Sequence, residues 1–293
     1  MADPDTAPAD GAGDTAEPQK KASRAGRDLP AAIAVGAVLG FGVIAILIFV
    51  PYVWIGVVAA AMALATHEVV RRLRTAGYAI PVIPLLIGGQ AMVWLTWPLG
   101  VAGALGSFGG TVVVCMIWRL LSGGLKDAPV NYLRDISATV FLAAWIPLFG
   151  AFGTLLVYPD DGGARVLCLM VGVVFSDIGG YTAGVLFGKH PMVPAISPKK
   201  SWEGFAGSLI CGTAAAVLAV TFLLDKPAWV GVPLGLMLVI TGTLGDLIES
   251  QVKRDLGIKD MGTLLPGHGG LMDRLDSVLP SAVATWIVLT LLA

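Results

Sequence analysis

The sequence predicts an all-α integral membrane protein with about nine transmembrane helices. Its 293 residues are 56% hydrophobic and only 13% charged, and the mean hydropathy is +0.82. A soluble domain carries roughly 25% charged residues. The long apolar runs lack the alternating pattern of a membrane barrel, so helices must satisfy the backbone hydrogen bonds within the bilayer. The net charge of −1 gives no indication of a nucleic-acid partner.

Nine apolar segments lie between polar loops, and each is a predicted transmembrane helix. A helix needs about 20 residues to cross a bilayer, and the second segment is short for a crossing. Residues 1–28 are rich in Ala, Asp, Pro and Gly and are predicted to be a disordered cytoplasmic tail. The nine predicted spans cover residues 29–50, 52–66, 80–97, 99–118, 136–157, 166–188, 204–224, 228–248 and 275–293.

The distribution of lysine and arginine predicts the orientation. Cytoplasmic loops of membrane proteins carry an excess of these residues. With nine spans, seventeen of the nineteen basic residues fall on the side of the N-terminus, and only Arg165 and Lys226 fall on the other side. The N-terminus is therefore predicted to be cytoplasmic and the C-terminus to lie on the far side. We divide the chain into N-terminal transmembrane helices, 29–157, and a C-terminal transmembrane catalytic region, 158–293.

One polar stretch between the last two predicted spans, Ser250–Asp276, is called here the charged segment. Plain connectors are usually short, and long ones are often functional. Gly267, Gly269 and Gly270 surround His268 and allow a close approach of the backbone to a ligand. Its basic side chains suit phosphate oxygens. They are Lys253, Arg254, Lys259 and Arg274.

Carboxylates occur in two pairs near the ends of the charged segment. Asp246 and Glu249 form one pair, and Asp273 and Asp276 form the other. A spacing of three residues puts both side chains of a pair on one face of a helix. Carboxylate oxygens are hard ligands that suit Mg²⁺, although a solvated interfacial role for Glu249 is an open alternative. Basic residues, carboxylates and glycines together predict a nucleotide or polyphosphate site.

Polar residues of the sixth span and the loop after it add to this prediction. A carboxylate in mid-membrane, as at Asp177, is costly and usually functional, with a structural hydrogen bond as the alternative. Ser197, Lys199 and Lys200 form a basic turn, for which a positively charged membrane anchor is the alternative. Both loops face the same side in the predicted topology, so we expect them to converge. Ordinary span-end residues are predicted at His67, Glu68 and His190.

The charged segment resembles, position for position, the signature of phosphatidate cytidylyltransferases, also called CDP-diacylglycerol synthases. The match includes Ser250, Lys253-Arg254, Lys259-Asp260, the run from Pro266 through His268 to Gly270, and Asp273-Arg274 with Asp276. The stretches 176–181 and 197–204 are also similar to this family. The resemblance covers roughly residues 170–280, and the N-terminal spans match only in being hydrophobic.

The resemblance implies the reaction of CTP with phosphatidic acid to give CDP-diacylglycerol and pyrophosphate. It implies Mg²⁺ as cofactor, alone or with a monovalent cation such as K⁺, held by Asp246 and Asp273. It also implies a multi-pass protein of the inner or plasma membrane, an active site facing the cytoplasm, and a homodimer. The predicted catalytic residues are Asp246, Asp273, Lys253, Arg254, His268 and Arg274. The predicted substrate-binding residues are Ser197, Lys199, Lys200, Lys259, Asp177, Asp276 and Glu249.

Three alternatives stay open at the level of sequence. His268 could donate a hydrogen bond to the leaving pyrophosphate, or it could simply cap the glycine turn. A related enzyme, such as a CTP-dependent polyprenol kinase or an archaeal-type CDP-lipid synthase, would use the same nucleotide on another lipid. A secondary transporter that uses Asp177 for coupling would instead show discontinuous helices in two related halves.

Overall fold

The computed structural model describes residues 40–262, 264 and 269–293. The described chain folds into α-helices and one short β-hairpin. A π-helical turn, Ala144–Leu148, joins the fifth and sixth helices without a break. The helices are α1 Gly40–Phe49, α2 Val53–Thr75, α3 Val82–Trp94, α4 Thr96–Leu121, α5 Tyr132–Ala143, α6 Phe149–Leu155, α7 Gly162–Phe187, α8 Trp202–Leu223, α9 Ala228–Asp255, α10 Met272–Leu275 and α11 Val278–Leu292.

Seven helical stretches of the described chain are long and apolar enough to cross a membrane. They include the continuous stretch Tyr132–Leu155 and the stretch Met272–Leu292. Two further apolar helices, α1 and α3, are shorter; the 13 residues of α3 extend about 20 Å. The predicted helical, multi-pass protein is therefore confirmed, whereas nine crossings and their orientation remain predictions. Residues 1–28 lie outside the described residues.

Two helices extend beyond the apolar runs that predicted them. The second span was predicted to end at residue 66, but α2 continues to Thr75. The eighth was predicted to end at 248, but α9 continues to Asp255. Hydropathy marks where a helix leaves the bilayer, and it does not mark where the backbone stops being helical. The polar extension of α2 carries Glu68 and Arg72, which contact the charged segment. The polar extension of α9 carries Lys253, which contacts Asp273, and Arg254, which contacts the loop after α7.

A β-hairpin in the loop after α7 departs from the all-α prediction. Strand β1, Pro191–Val193, pairs antiparallel with β2, Ser197–Ser201. Ser201 then caps α8, because its Oγ accepts a hydrogen bond from the backbone N–H of Gly204 at 3.1 Å. Proline and lysine are poor strand formers, so the sequence of β2 gave no strand signal. The hairpin holds Ser197, Lys199 and Lys200 at fixed positions beside the helices.

The C-terminal helices pack at very short range. A methyl group on Gly180 of α7 would overlap the Oγ of Ser208 on α8, and one on Gly245 of α9 would overlap the carbonyl oxygen of Asp276. Small residues let helices approach to backbone contact in this way. Fully buried leucines such as Leu234 of α9 and Leu289 of α11 fill the core between these helices. The contact at Gly245 brings Asp276 against the carboxylates of α9.

Candidate functional site

A cleft of about 340 Å³ lies among α7, α8, α9 and the hairpin. Its polar wall includes Asp177 of α7, Asp246 of α9, and Ser197, Lys199 and Lys200 of β2. These residues come from three separate parts of the chain. The structure therefore brings together one predicted carboxylate from each of two helices and the whole predicted basic turn.

Two contacts join the hairpin to the polar end of α9. Lys200 Nζ lies 2.6 Å from Asp246 Oδ2. The Nε of Arg254 donates to the carbonyl oxygen of Ile196, at the hairpin turn, over 3.4 Å. The contact between Arg254 and Ile196 confirms the expectation that the loop after α7 and the charged segment converge.

Three carboxylates form an acid cluster, defined here as Asp246, Glu249 and Asp276. One oxygen of each lies within 4.8 Å of the others. Glu249 is only 1% exposed, so the alternative of a solvated interfacial role for it is wrong. Its Oε1 is buried and has no hydrogen-bond partner in the described part of the chain. Carboxylates this close repel one another, so the cluster requires positive charge nearby.

Lys253 connects the acid cluster to Asp273. Its ammonium group pairs with Glu249 Oε2, one turn earlier on α9, and lies 3.0 Å from Asp273 Oδ1. Asp273 also accepts hydrogen bonds from the backbone N–H groups of Met261 and Gly270, the latter at 2.8 Å. Asp273 also adjoins the acid cluster directly, because its carboxyl group contacts that of Glu249. Donors already bind both oxygens of Asp273.

The donor set of the acid cluster fits a hard divalent cation. Mg²⁺ prefers oxygen ligands, and one or two carboxylates with bound phosphates usually hold it. The unpartnered Glu249 Oε1 supplies an acceptor for which the described protein has no donor. Only Asp246 belongs both to this cluster and to the predicted Asp246–Asp273 ligand pair. That pair stays a prediction beside the ligand set that the geometry favours.

The remaining predicted residues lie around the site at different distances from it. Arg254 and Lys259 are exposed at and just beyond the end of α9. Arg274 is exposed on α10, next to Asp273. Lys259 has no hydrogen bond or ion pair from its side chain within the described ranges. His268 lies outside the described residues, so both interpretations of its role stay open.

Two residues of α2 without a predicted functional role contact the charged segment: Glu68, which was predicted to be an ordinary span-end residue, and Arg72. Glu68 Oε2 accepts a hydrogen bond from the backbone N–H of Met272 at 3.0 Å. Arg72 Nε donates to the carbonyl oxygen of Met261 at 2.7 Å. The available signal was an acid and a base four residues apart just past an apolar run, since this spacing places them on one helix face.

Comparison with known proteins gives consistent results. A family model described as "Cytidylyltransferase family" matches residues 30–292. A protein of Mycobacterium bovis named phosphatidate cytidylyltransferase is 66% identical over 284 residues, which cover 94% of this chain and 93% of the relative. A Mycobacterium leprae protein of the same name is also 66% identical, covering 93% and 91%. One from Staphylococcus haemolyticus is 31% identical over 198 residues, covering 67% and 75%.

Proposed function

This chain belongs to the cytidylyltransferase family, and from that premise we propose that it is an enzyme that converts CTP and phosphatidic acid into CDP-diacylglycerol and pyrophosphate. The observation that carries this proposal is the cleft. It sets the ammonium group of Lys200 against Asp246 at the polar ends of apolar helices. Such a site can receive a water-soluble polyphosphate and a membrane-bound phosphate together.

The apolar side of the cleft supports a lipid as one substrate. Tyr181, Met192 and Phe205 line it together with the polar groups. Tyr181 is 76% exposed, and its helix neighbours Ile178 and Val185 are exposed as well. In a membrane these side chains face acyl chains. A lipid substrate would stay in the bilayer, since moving each acyl CH₂ into water costs about 0.8 kcal/mol.

In the proposed reaction, a phosphate oxygen of phosphatidic acid forms a new P–O bond to the α-phosphorus of CTP. The bond from that phosphorus to the bridging oxygen breaks, and pyrophosphate leaves with the electron pair. Both reactants are anionic, so the protein must neutralise charge and align the two phosphates. Lys199 and Lys200 can bind phosphate oxygens from the hairpin. Lys253 and Arg254 can do so from α9.

We further propose that Mg²⁺ binds at the acid cluster, with Asp246 as a ligand. A bound Mg²⁺ would stabilise negative charge on the phosphates and on the departing pyrophosphate. The geometry of the acid cluster favours Glu249 and Asp276 as the other protein ligands, whereas the family resemblance assigns Asp273 as the second ligand. A monovalent cation such as K⁺ beside Mg²⁺ remains part of the proposal.

The placement of the enzyme in the membrane is also a proposal. We infer nine crossings with the N-terminus in the cytoplasm, because this count puts the hairpin and the charged segment on the strongly basic side. The cleft then opens to cytoplasmic CTP. The family resemblance supports a homodimer in the inner or plasma membrane. Cysteine labelling at positions 199 and 259 tests the sidedness, and light scattering in detergent tests the dimer.

The decisive experiment is an assay of purified protein in detergent with CTP and phosphatidic acid, with and without Mg²⁺. We expect CDP-diacylglycerol and pyrophosphate in equal amounts, and only with Mg²⁺. Dolichol and an archaeal ether lipid serve as competing acceptors. Transfer to either of these instead of phosphatidic acid would contradict the proposal in favour of the related enzymes. Solute flux in liposomes that does not depend on CTP would favour a transporter.

A further inference from the structure

The carboxylate of Glu68, on α2, packs closely against the backbone of the charged segment. One oxygen, Oε2, accepts the backbone N–H of Met272, the residue directly before Asp273. The other, Oε1, is buried without a hydrogen-bond partner within the described ranges. A methyl group on Gly262 would overlap this Oε1, and one on Gly270 would lie 2.8 Å from Oε2. Only glycine leaves room for the carboxylate at these positions.

Arg72, one turn further along α2, binds the backbone of Met261, which lies eleven residues before Met272 in the charged segment. Its Nε donates to the carbonyl oxygen of Met261 at 2.7 Å, while the N–H of Met261 donates to Asp273. The two peptide groups that flank the Cα of Met261 are thus both held, one by Asp273 and the other by Arg72. Met261 and Met272 are both fully buried, which anchors their side chains as well.

Through these contacts α2 is linked to the reactive end of α9. Glu68 holds Met272, Arg72 holds Met261, and both of these residues flank or bind Asp273. Asp273 lies 3.0 Å from Lys253 Nζ, and Lys253 pairs with Glu249 of the acid cluster. A shift of Asp273 would therefore move Lys253 and leave Glu249, which is 1% exposed, without its counter-charge.

We infer that Glu68 and Arg72 are positioning residues for catalysis, which act by holding the backbone of Met261 and of Met272, and with them Asp273, in register with α9. This inference rests on the proposed cytidylyltransfer reaction for its activity readout. Neither side chain lines the cleft, so neither is expected to touch substrate. Misplacement of a catalytic group by about 1 Å costs up to about a hundredfold in rate.

The first test compares substitutions at these two positions by steady-state kinetics. Glu68→Ala and Arg72→Ala should each lower kcat by about tenfold to a hundredfold and change the KM for CTP little. Glu68→Gln keeps an oxygen that can accept the Met272 N–H, so it should retain most of the activity. Arg74→Ala is the matched control, because Arg74 is an exposed arginine on the same end of α2.

A second test changes the residue of the charged segment that packs against Glu68. Gly262→Ala places a methyl group on Glu68 Oε1 and should reproduce the loss seen with Glu68→Ala. Gly56→Ala is its control, since Gly56 also lies in this helical bundle, on α2, and a methyl group there meets nothing within 4 Å. Hydrogen exchange of peptides containing Met261 and Met272 should become faster in Glu68→Ala, with unchanged exchange in α8.

These outcomes separate the inference from the proposed function. Wild-type kcat in both Glu68→Ala and Arg72→Ala would overturn it. If the wild-type protein does not turn over CTP and phosphatidic acid, the proposed function fails, and hydrogen exchange then tests the positioning role. Faster exchange in Glu68→Ala supports the role of Glu68 in holding Met272, and unchanged exchange rejects it. If Glu68→Ala does not fold, Arg72→Ala and Gly262→Ala decide on the same kinetic criterion.

Discussion

Two buried networks of charge lie at helix ends in this protein, one in each half, and they are built differently. In the N-terminal half, Arg119 of α4 is 9% exposed and Asp135 of α5 is 1% exposed. Arg119 donates twice to Asp135 and also to Ser122 and the carbonyl oxygen of Val130. The second oxygen of Asp135 accepts from Arg134. Every charge in this network has a partner within the protein.

The network of the C-terminal half includes a buried carboxylate oxygen that has no hydrogen-bond donor within the described chain. Three carboxylates crowd within 4.8 Å, two lysines pair with them, and Glu249 Oε1 has no partner in the described chain. A buried carboxylate oxygen without a donor is costly. The closed network is therefore explained by stability alone, because it ties α4 to α5. For the open one, we propose that a bound ligand completes it.

The largest effect should follow from breaking the open network at Asp246. Asp246→Asn keeps the shape of the side chain but removes the charge that pairs with Lys200 and would bind Mg²⁺. We expect a loss of kcat of about a thousandfold or more with the fold retained. The measurements are CTP turnover and thermal unfolding in detergent with and without Mg²⁺. Turnover within tenfold of wild type would refute the role given to this residue.

The same unfolding measurement distinguishes the two proposed ligand sets. A ligand that binds only the folded state raises the melting temperature by mass action. If the acid cluster holds Mg²⁺, Asp276→Asn and Glu249→Gln should weaken the Mg²⁺-dependent rise, and Asp273→Asn should keep most of it. The opposite pattern would assign the metal to Asp246 and Asp273 and remove Asp276 from the ligand set.

Breaking the closed network should affect stability instead of activity. Arg119→Ala leaves the carboxylate of Asp135 buried with only part of its partners, which typically costs about 3–5 kcal/mol. We expect a lower melting temperature and an unchanged kcat for the fraction that is folded. The double variant Arg119→Met with Asp135→Leu should recover much of this loss, since replacing both charges by apolar groups is often neutral. A selective loss of kcat at full stability would show that this network also serves catalysis.

A smaller, substrate-specific effect is expected at the hairpin. Lys200→Ala removes the ammonium group that lies 2.6 Å from Asp246 and is proposed to bind phosphate. Its side chain is 24% exposed, so part of its effect is screened by water. We expect kcat/KM for CTP to fall about tenfold to a hundredfold, as for loss of a charged hydrogen bond of about 1.5–3 kcal/mol. Kinetics identical to those of wild type would remove Lys200 from the phosphate site.

The sequence predicted the helical class and most of the site because both leave strong local signals. Apolar runs gave a helix for each predicted span, and a dense group of charges between two such runs marked the charged segment. Asp246, Lys200 and Lys253 were identified in this way, and contacts now join them. The hairpin was missed, since Pro198, Lys199 and Lys200 follow no strand pattern.

The parts that could not be predicted depend on three-dimensional contact between distant segments. The spacing of Asp273 and Asp276 predicted a shared helix face, and Asp276 does keep helical backbone angles at the end of α10. The spacing did not indicate which carboxylates Asp276 would meet. The close approach at Gly245 puts it beside Asp246 and Glu249. Glu68 and Arg72 were assigned no function, because their partners are backbone groups some 190 to 200 positions away, which no local pattern encodes.

The smallest effect is expected at the start of α7, at the opposite end of this helix from the cleft. A partly exposed ion pair lies there, and neither buried network includes it. Arg165 and Asp161 form an ion pair of 2.6 Å at spacing i, i+4 at the start of α7. Asp161 is 32% exposed, and pairs of this kind contribute about 0.3–0.5 kcal/mol. Arg165→Ala should therefore leave kcat unchanged and shift the melting temperature only slightly. The charge-reversed double variant Arg165→Asp with Asp161→Arg is the control for the pair itself. A severalfold fall in turnover in Arg165→Ala would mean that the far end of α7 influences the cleft, and the division of the molecule into a reactive end and a passive end would have to be abandoned.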